Sequence, residues 1–182
     1  MTDPFVPATS PVEDDASLVV NTFISAMLAA FNPADPVQPP LAGGSTVVRF
    51  FAADAVPLEL WDAHATGSNC AEPFLWVRMT KRYRSRDFPT PSSESFACSL
   101  PRVIGLEIGV GRCSSLSVTP DWDQVQLEAE YSLDDSWRLE LALCRAVSDM
   151  QAQNRLVSID SIVPFGPEGG VIAWSATAAV KL

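Results

Sequence analysis

His64 is the only histidine of the chain and the first candidate for acid–base chemistry. Ser68 and Cys70 follow it closely, so a base beside a nucleophile is a hypothesis to consider. A catalytic triad also needs an oriented partner and an oxyanion site, and no G-x-S-x-G motif marks either. The sequence therefore predicts no catalytic residue, and a small hydrolase that uses His64 stays an alternative.

Carboxylates and cysteines are the other residues that could hold a metal ion. No carboxylate run has the D-x-[DN]-x-[DN]-G spacing of a calcium loop, so helix capping and solubility explain the acidic residues better. The cysteines form no Cys-x-x-Cys pair, which disfavours a zinc site. We expect no metal and no cofactor, and four free thiols that are mostly buried, as in a reducing cytoplasm: Cys70, Cys98, Cys113 and Cys144.

The stretch "PFGPEGGVIAW", residues 164–174, has the glycine content of a phosphate-binding loop. A P-loop needs a Lys and a hydroxyl residue directly after its last glycine, at the start of a helix. Neither follows Gly170, and Glu168 would place a negative charge beside any phosphate. The pattern instead predicts a turn between two strands.

A basic cluster stands out in this acidic chain, whose formal net charge is -10. Three interpretations stay open for it. It is a solvated strand face or sheet edge, a dock for an acidic copy of the same chain, or a contact for DNA phosphate. The candidate interface holds five of the twelve positive residues within nine positions: Arg78, Lys81, Arg82, Arg84 and Arg86.

Two helices are predicted to position these residues. Apolar side chains recur at helical spacing over about 15–31, with Asp14 or Asp15 as the cap, and "NPADPVQPPLAGG" then predicts a loop to about residue 44. A second helix is predicted over about 134–153, capped by Asp134 or Asp135. One stripe of it is predicted to comprise Trp137, Leu141, Cys144 and Ser148, and the apolar face is predicted to be widened by Leu139, Leu143, Val147 and Met150.

Strands are predicted for the rest of the chain. Alternation favours "STVVRFF", "PLELW", "PRVIGLEIGVG", "DQVQLEAEY", "LVSIDSIVPF" and the final run. In residues 74–86 it places Leu75, Val77, Met79 and Tyr83 on one face and the arginines on the other. The result is an α+β fold, a mostly antiparallel sheet packed against two helices. We expect an extended arm over 1–14 and a single domain over 15–182, with a loop at about 32–44 and an inserted region at about 45–97.

Composition narrows the class of protein. The chain has 182 residues, 47% of them apolar, which indicates a globular protein. We expect a soluble protein made in a cytoplasm, since no apolar stretch approaches the roughly 20 residues of a membrane helix and the N-terminus lacks a signal-peptide pattern. A sequence pI near 4.4 argues against a general DNA binder.

Three stretches resemble the neck proteins of long-tailed bacteriophages, of the tail-terminator or head-to-tail connector kind. "SLPRVIGLEIGVGRC" resembles a strand of actinobacterial phage connectors, "DDSWRLELALCRAV" resembles the helix that follows it, and "FGPEGGVIAWSATAAVKL" is similar to their C-terminal turn and closing strand. The order of elements also resembles the lambda-type tail terminator. The similarity covers about residues 98–182, and residues 40–97 are longer than a minimal terminator needs.

The resemblance implies a virion protein that forms a ring at the head–tail junction and has no active site. It implies a tail terminator that caps the tail tube, with a stopper or adaptor ring next to the portal as the alternative. Expected partners are copies of the same chain, six for a terminator and twelve for an adaptor, together with an adjacent neck ring and the major tail protein. Genomic DNA is expected to pass through an acidic lumen without specific binding.

Overall fold

The computed structural model describes residues 14–68, 70–93, 97–115, 119, 121–168 and 170–182. The predicted arm therefore lies outside the described residues, apart from Asp14. The described part contains three α-helices and five β-strands, in the order α1 (Asp15–Ala30), β1 (Val48–Ala52), α2 (Leu58–Ser68), β2 (Phe74–Arg84), β3 (Arg102–Cys113), α3 (Trp122–Ala152), β4 (Val157–Glu168) and β5 (Val171–Lys181).

All five strands form one sheet in the order β1-β2-β3-β5-β4. β1 pairs parallel with β2, and every other pairing is antiparallel. α1 packs over β1, β2 and β3, whereas α3 packs over β3, β4 and β5. The predicted α+β fold with a mostly antiparallel sheet is confirmed, with a third helix, α2, in addition.

The main core lies between the sheet and the two helices α1 and α3, which also contact each other. Each helix contributes one apolar stripe, as the helical period requires. The side chains that meet there are fully buried, among them Val19, Phe23 and Met27 of α1, Ile104, Leu106 and Ile108 of β3, and Leu139, Leu143 and Met150 of α3.

The opposite face of the sheet, called here the outer face, carries a smaller aromatic cluster. Phe74 and Trp76 of β2 are buried there, with Trp61 of α2 packed against them. The indole of Trp76 lies over Gly109, the paired residue of β3, where a Cβ atom would be only 2.1 Å from Cζ2 of the ring. Glycine at this position therefore lets a tryptophan lie flat on the sheet.

The prediction of a strand over "DQVQLEAEY" is wrong, because these residues form the first turns of α3. Their apolar residues alternate, but Val125, Ala129 and Leu133 are also four apart, which is helical spacing. Gln, Glu, Leu and Ala are strong helix formers. Asp121 caps the helix by accepting hydrogen bonds from the backbone N–H groups of Asp123 and Gln124.

Two further sequence predictions are also wrong. "PLELW" forms the first turn of α2, which begins at Leu58, and is not a strand. Asp134 and Asp135 lie inside α3 and do not cap it, since the helix begins twelve residues before Asp134. The predicted helix over about 15–31 is confirmed, with Asp14 as its cap. The turn within "PFGPEGGVIAW" is confirmed as the connection between the antiparallel strands β4 and β5.

The prediction of four free, mostly buried thiols is also wrong. Cys70 and Cys113 form a disulfide with Cα atoms 5.7 Å apart, which links the segment after α2 to the end of β3. The free cysteines, Cys98 and Cys144, are both exposed. No helix in the described ranges is long and apolar enough to cross a membrane.

Candidate assembly surfaces at the two ends of the sheet

The predicted basic cluster lies on and just after β2, but a strand irregularity divides it between the two faces. The pairing of β2 with β3 shifts by one residue between Met79 and Lys81. Paired residues share a face of the sheet. Lys81 therefore lies on the outer face with Arg78, whereas Arg82, opposite the core residue Ile104, turns toward α1. The predicted alternation through Arg82 and Tyr83 is wrong because the extra residue reverses it.

Arg78 is buried, and its contacts stabilise the fold. Its guanidinium forms an ion pair with Glu107 of β3, with Nε 3.1 Å from Oε1 and Nη2 2.5 Å from Oε2. Trp76 also donates to Glu107 at 2.9 Å, and Arg78 donates to the carbonyl of Ala53 at 3.0 Å. This network fixes the end of β1 to the outer face, so the charge of Arg78 is satisfied within the chain.

Arg82 and Arg84 have partners in the chain as well. Arg82 forms an ion pair with Asp14, the cap of α1, and its hydrogen bond is the main reason why the pKa of Asp14 lies below its ordinary value. Arg84 donates to the carbonyl of Leu100 at 2.8 Å. The two arginines thus tie the second half of β2 to neighbouring segments, which weakens the hypothesis of a dock for DNA phosphate.

Positive residues from elsewhere in the sequence join the cluster at the same end of the sheet. Arg102 begins β3 opposite Arg84, Lys181 ends β5 opposite Val103, and Arg155 follows α3. Arg102 and Arg155 both pair with Asp15 of α1. We call this surface the basic end, and it holds seven of the twelve positive residues: Lys81, Arg82, Arg84, Arg86, Arg102, Arg155 and Lys181.

The first thirteen residues of α3, residues 122–134, include no buried side chain, and we call them the overhanging half-helix. Trp122 is 74% exposed and Leu133 is 70% exposed. Trp137 and Leu141, predicted to be part of the apolar face, continue this exposed stripe beyond the half-helix. Burial within α3 begins only at Asp135. A large apolar surface on this helix therefore has no cover within the described chain.

The overhanging half-helix is also strongly acidic. It contains four carboxylates and no lysine or arginine, and one of the four, Asp134, pairs with Arg138. Asp123, Glu130 and Trp137 are seven residues apart, so they lie along one side of the helix, and all three are exposed. One helix face thus presents carboxylates together with large apolar side chains.

Contacts along its inner side hold the half-helix in place. The carboxylate of Glu128 accepts hydrogen bonds from Ser114 at 3.1 Å and from the backbone N–H of Ser115 at 3.0 Å, just after β3. Trp174 of β5 donates from Nε1 to Ser132 at 2.7 Å. The half-helix is therefore attached beside the end of β3, with its opposite side open.

The proline-rich loop, residues 32–44, is held beside the half-helix by two arginines. Arg138 donates to the carbonyls of Gln38 and Pro39 at 3.0 and 2.9 Å, and Arg112 donates to the carbonyls of Ala42 and Gly43 at 2.8 and 2.9 Å. Leu41, which is 64% exposed, thereby borders a shallow hollow of about 350 Å³ that is also lined by Leu133 and Trp137. The loop extends the apolar surface.

The two surfaces lie at opposite ends of the sheet. The half-helix contacts Ser114 and Ser115, directly after the last residue of β3, whereas the basic end surrounds its first residue, Arg102. β3 has 12 residues. At about 3.4 Å per residue the strand spans about 40 Å. The molecule therefore has an acidic, apolar end and a basic end.

The surroundings of His64 bear on the hydrolase alternative. Nε2 of His64 lies 2.9 Å from the carbonyl oxygen of Glu72, and the ring packs beside Phe74. Cys70 is disulfide-bonded and has no thiol to act as a nucleophile, and the side chain of Ser68 lies outside the described residues. Within the described ranges, no group of three or more His, Cys, Asp or Glu side chains is placed to hold a metal ion.

The basic end unites residues that sequence reasoning found with three that it missed. Arg102 and Lys181 stand at the ends of predicted strands, so a correct strand order would have brought them to β2. Arg155 carried no such signal.

No model of a known protein family matches the chain, and no curated protein sequence matches it.

Proposed function

We propose that this chain is a structural subunit of a ring in the neck of a long-tailed bacteriophage, and that the ring is the tail terminator, which caps the tail tube and joins it to the head. The three motifs quoted above and the α+β architecture support this proposal. The chain then acts through contacts with other protein subunits.

The observation that carries the proposal is the overhanging half-helix. Trp122 and Leu133 are each at least 70% exposed on it, and Trp137 extends the same surface. Burying apolar surface stabilises by about 25 cal/mol per Å², so covering these side chains favours association. A helix of this length is marginal in water without packing. A neighbouring subunit that covers the half-helix would supply both the burial and the support.

The charge of the chain fits the same role. A formal net charge of -10 opposes binding to DNA phosphate, which suits a ring through which genomic DNA passes without adhering. The other partners in this proposal are an adjacent neck ring and the major tail protein. A stopper or adaptor ring next to the portal would also need contacts between subunits and a lumen to which DNA does not adhere. It differs from a terminator in its number of subunits and in its neighbouring proteins.

Mass measurement and electron microscopy of the purified protein test the proposal. We expect closed rings with rotational symmetry, six subunits for a terminator, and attachment of the rings to the head-proximal end of isolated tails. Leu133→Glu should abolish ring formation, since it places a charge in the apolar surface. Leu60→Glu, on the exposed side of α2, is the matched control and should leave the rings intact.

A protein that stays monomeric at every concentration and does not attach to tails would contradict the proposal. Rings of twelve subunits that bind portal protein and not tails would replace the terminator with an adaptor ring. Turnover of an ester or peptide that is lost in His64→Ala would instead favour the hydrolase alternative.

A further inference from the structure

We infer that the overhanging half-helix of one subunit binds the basic end of the next, so that subunits join head to tail. The inference deepens the proposed function and rests on it, because it names the contact that builds the ring. The occupant of the apolar half-helix is thus a second copy of this chain.

Charge complementarity selects this occupant. Asp123 and Glu130 share one exposed side of the half-helix. At the basic end, Lys81 and Lys181 lie on the outer face, where Gly105 and Val103 of β3 separate them. Neither lysine forms an ion pair with another described residue, whereas the arginines beside them pair with Asp14 and Asp15. We therefore expect the two carboxylates of one subunit to pair with the two lysines of the next.

The basic end also offers apolar surface. Leu156, in the turn between α3 and β4, is 55% exposed, and its carbonyl accepts a hydrogen bond from the backbone N–H of Lys181. Apolar contact between Leu156 and the stripe of Trp122 and Leu133 would exclude water from the neighbouring charges. Charge pairs in a less polar environment attract more strongly and fix the register of the two subunits.

A contact between two half-helices is disfavoured by the same charges. It would place the carboxylates of one copy against those of the other, in a segment with no lysine or arginine from residue 113 to residue 137. Juxtaposed like charges suppress such a pairing. The symmetric dimer is therefore disfavoured on electrostatic grounds, and contact between the unlike ends is favoured.

The position of the two surfaces gives the assembly its direction. They lie at the two ends of β3, on different parts of the molecule, so every copy that is bound at one end leaves its other end available. Such head-to-tail contacts form a ring when the rotation closes and a filament when it does not. The polarised subunit thus accounts for assembly from a single kind of chain.

Charge reversal tests the contact. The half-helix variant carries Asp123→Lys and Glu130→Lys, and the basic-end variant carries Lys81→Glu and Lys181→Glu. We expect each variant alone to stay monomeric, with an apparent dissociation constant raised about 100-fold or more, because every contact then joins like charges. A 1:1 mixture of the two variants should assemble again, as should one chain that carries all four substitutions.

A matched control separates the effect of charge at these four positions from the effect of the net charge of the chain. Asp54→Lys with Asp62→Lys changes the net charge by the same amount as the half-helix variant, at exposed positions that belong to neither of the two surfaces, and should leave assembly unchanged. Circular dichroism of each variant checks folding. Assembly of the wild-type protein should weaken steadily as sodium chloride is added.

Three results would overturn the inference. If the wild-type protein forms rings and both reversed variants form them equally well, the contact is wrong while the proposed function stands. If both variants fail and neither the mixture nor the quadruple variant recovers assembly, the pairing of these four residues is wrong. A wild-type protein that never assembles would contradict the contact and the ring together.

Discussion

Arg112 and Asp135 form a bidentate ion pair, with Nε 2.6 Å from Oδ2 and Nη2 2.9 Å from Oδ1. The pair joins the end of β3 to α3, and the same guanidinium holds the proline-rich loop through Ala42 and Gly43. Burial raises the pKa of Asp135, although Arg112 acts in the opposite direction. Three segments therefore depend on one arginine side chain.

Arg112→Met should destabilise the fold strongly. It leaves the buried carboxylate of Asp135 and the two loop carbonyls without their donor, and removal of one partner of a buried pair costs about 3–5 kcal/mol. Urea unfolding measures the loss. Arg112→Met with Asp135→Leu should cost less than the sum of the single variants. Arg145→Met, at an exposed position of α3, is the control, and an equal loss there would contradict the prediction.

Glu128 should make stability depend on pH. Burial alone would raise the pKa of Glu128, but hydrogen bonds from Ser115, Gln124 and Ser114 outweigh it and leave the pKa below 4.5. Its stabilising contribution is therefore fully present above the ordinary pKa of 4.5 and is lost as the pH falls through the lower pKa of the folded state. Glu128→Gln should weaken the protein at pH 7 and match the wild type in acid.

Unfolding free energies at several pH values check this difference between Glu128→Gln and the wild type. The comparison is needed because the raised pKa of Asp135 contributes with the opposite sign in the same acid range. Hydrogen exchange should also show faster opening of residues 122–134 in the variant. Glu130→Gln, two residues away on the exposed side of the helix, serves as the control. A difference between Glu128→Gln and the wild type that is constant at all pH values would refute the assignment.

Gly109→Ala should displace Trp76. The added Cβ would lie 2.1 Å from Cζ2 of the indole, so the ring must move and its hydrogen bond to Glu107 must break. Overpacking of this kind costs about 1–3 kcal/mol. Near-ultraviolet circular dichroism and urea unfolding report the change. Gly67→Ala, where no atom lies within 4 Å of the added carbon, should leave both signals unchanged. Wild-type behaviour of Gly109→Ala would show that the ring does not lie on β3.

Loss of the disulfide should lower stability without changing the fold. The bond links residues 43 positions apart. Release of such a link typically costs about 2–4 kcal/mol. Cys70→Ser with Cys113→Ser should unfold at lower urea concentration and respond no further to a reductant, whereas the wild type should shift when reduced. Cys98→Ser with Cys144→Ser is the control, since both thiols are free. Equal sensitivity to reductant in all three proteins would rule out the bond.

Much of the fold could be predicted from local patterns. The helix α1, the strands β3 and β4 and the final hairpin follow from apolar periodicity, from the Asp14 cap and from the glycines before β5. The first half of α3 could not be predicted from such patterns. Because this part of the helix is exposed, it has no buried stripe of apolar residues at helical spacing. Residues 124–131 alternate by chance, and only their helix propensity opposed the strand interpretation.

The candidate surfaces were predicted less completely. Sequence reasoning found the density of positive charge on β2 but not that Arg78 pairs with Glu107, since both are separated by 29 positions and meet only through strand register. The apolar face of α3 was predicted as core, although Trp137 and Leu141 are exposed. Which side of an amphipathic helix is covered depends on its tertiary neighbours, which a periodic pattern does not identify.

The irregularity at Thr80 makes β2 tolerant of the loss of one codon at this point. Thr80 is the residue that has no partner on β3, so an in-frame deletion of it would place Lys81 directly after Met79. Lys81 would still lie opposite Gly105 on the outer face, and Arg82 would still lie opposite Ile104 and turn toward α1. A small slip during replication at this codon would thus remove the irregularity and leave the electrostatic map of the subunit unchanged.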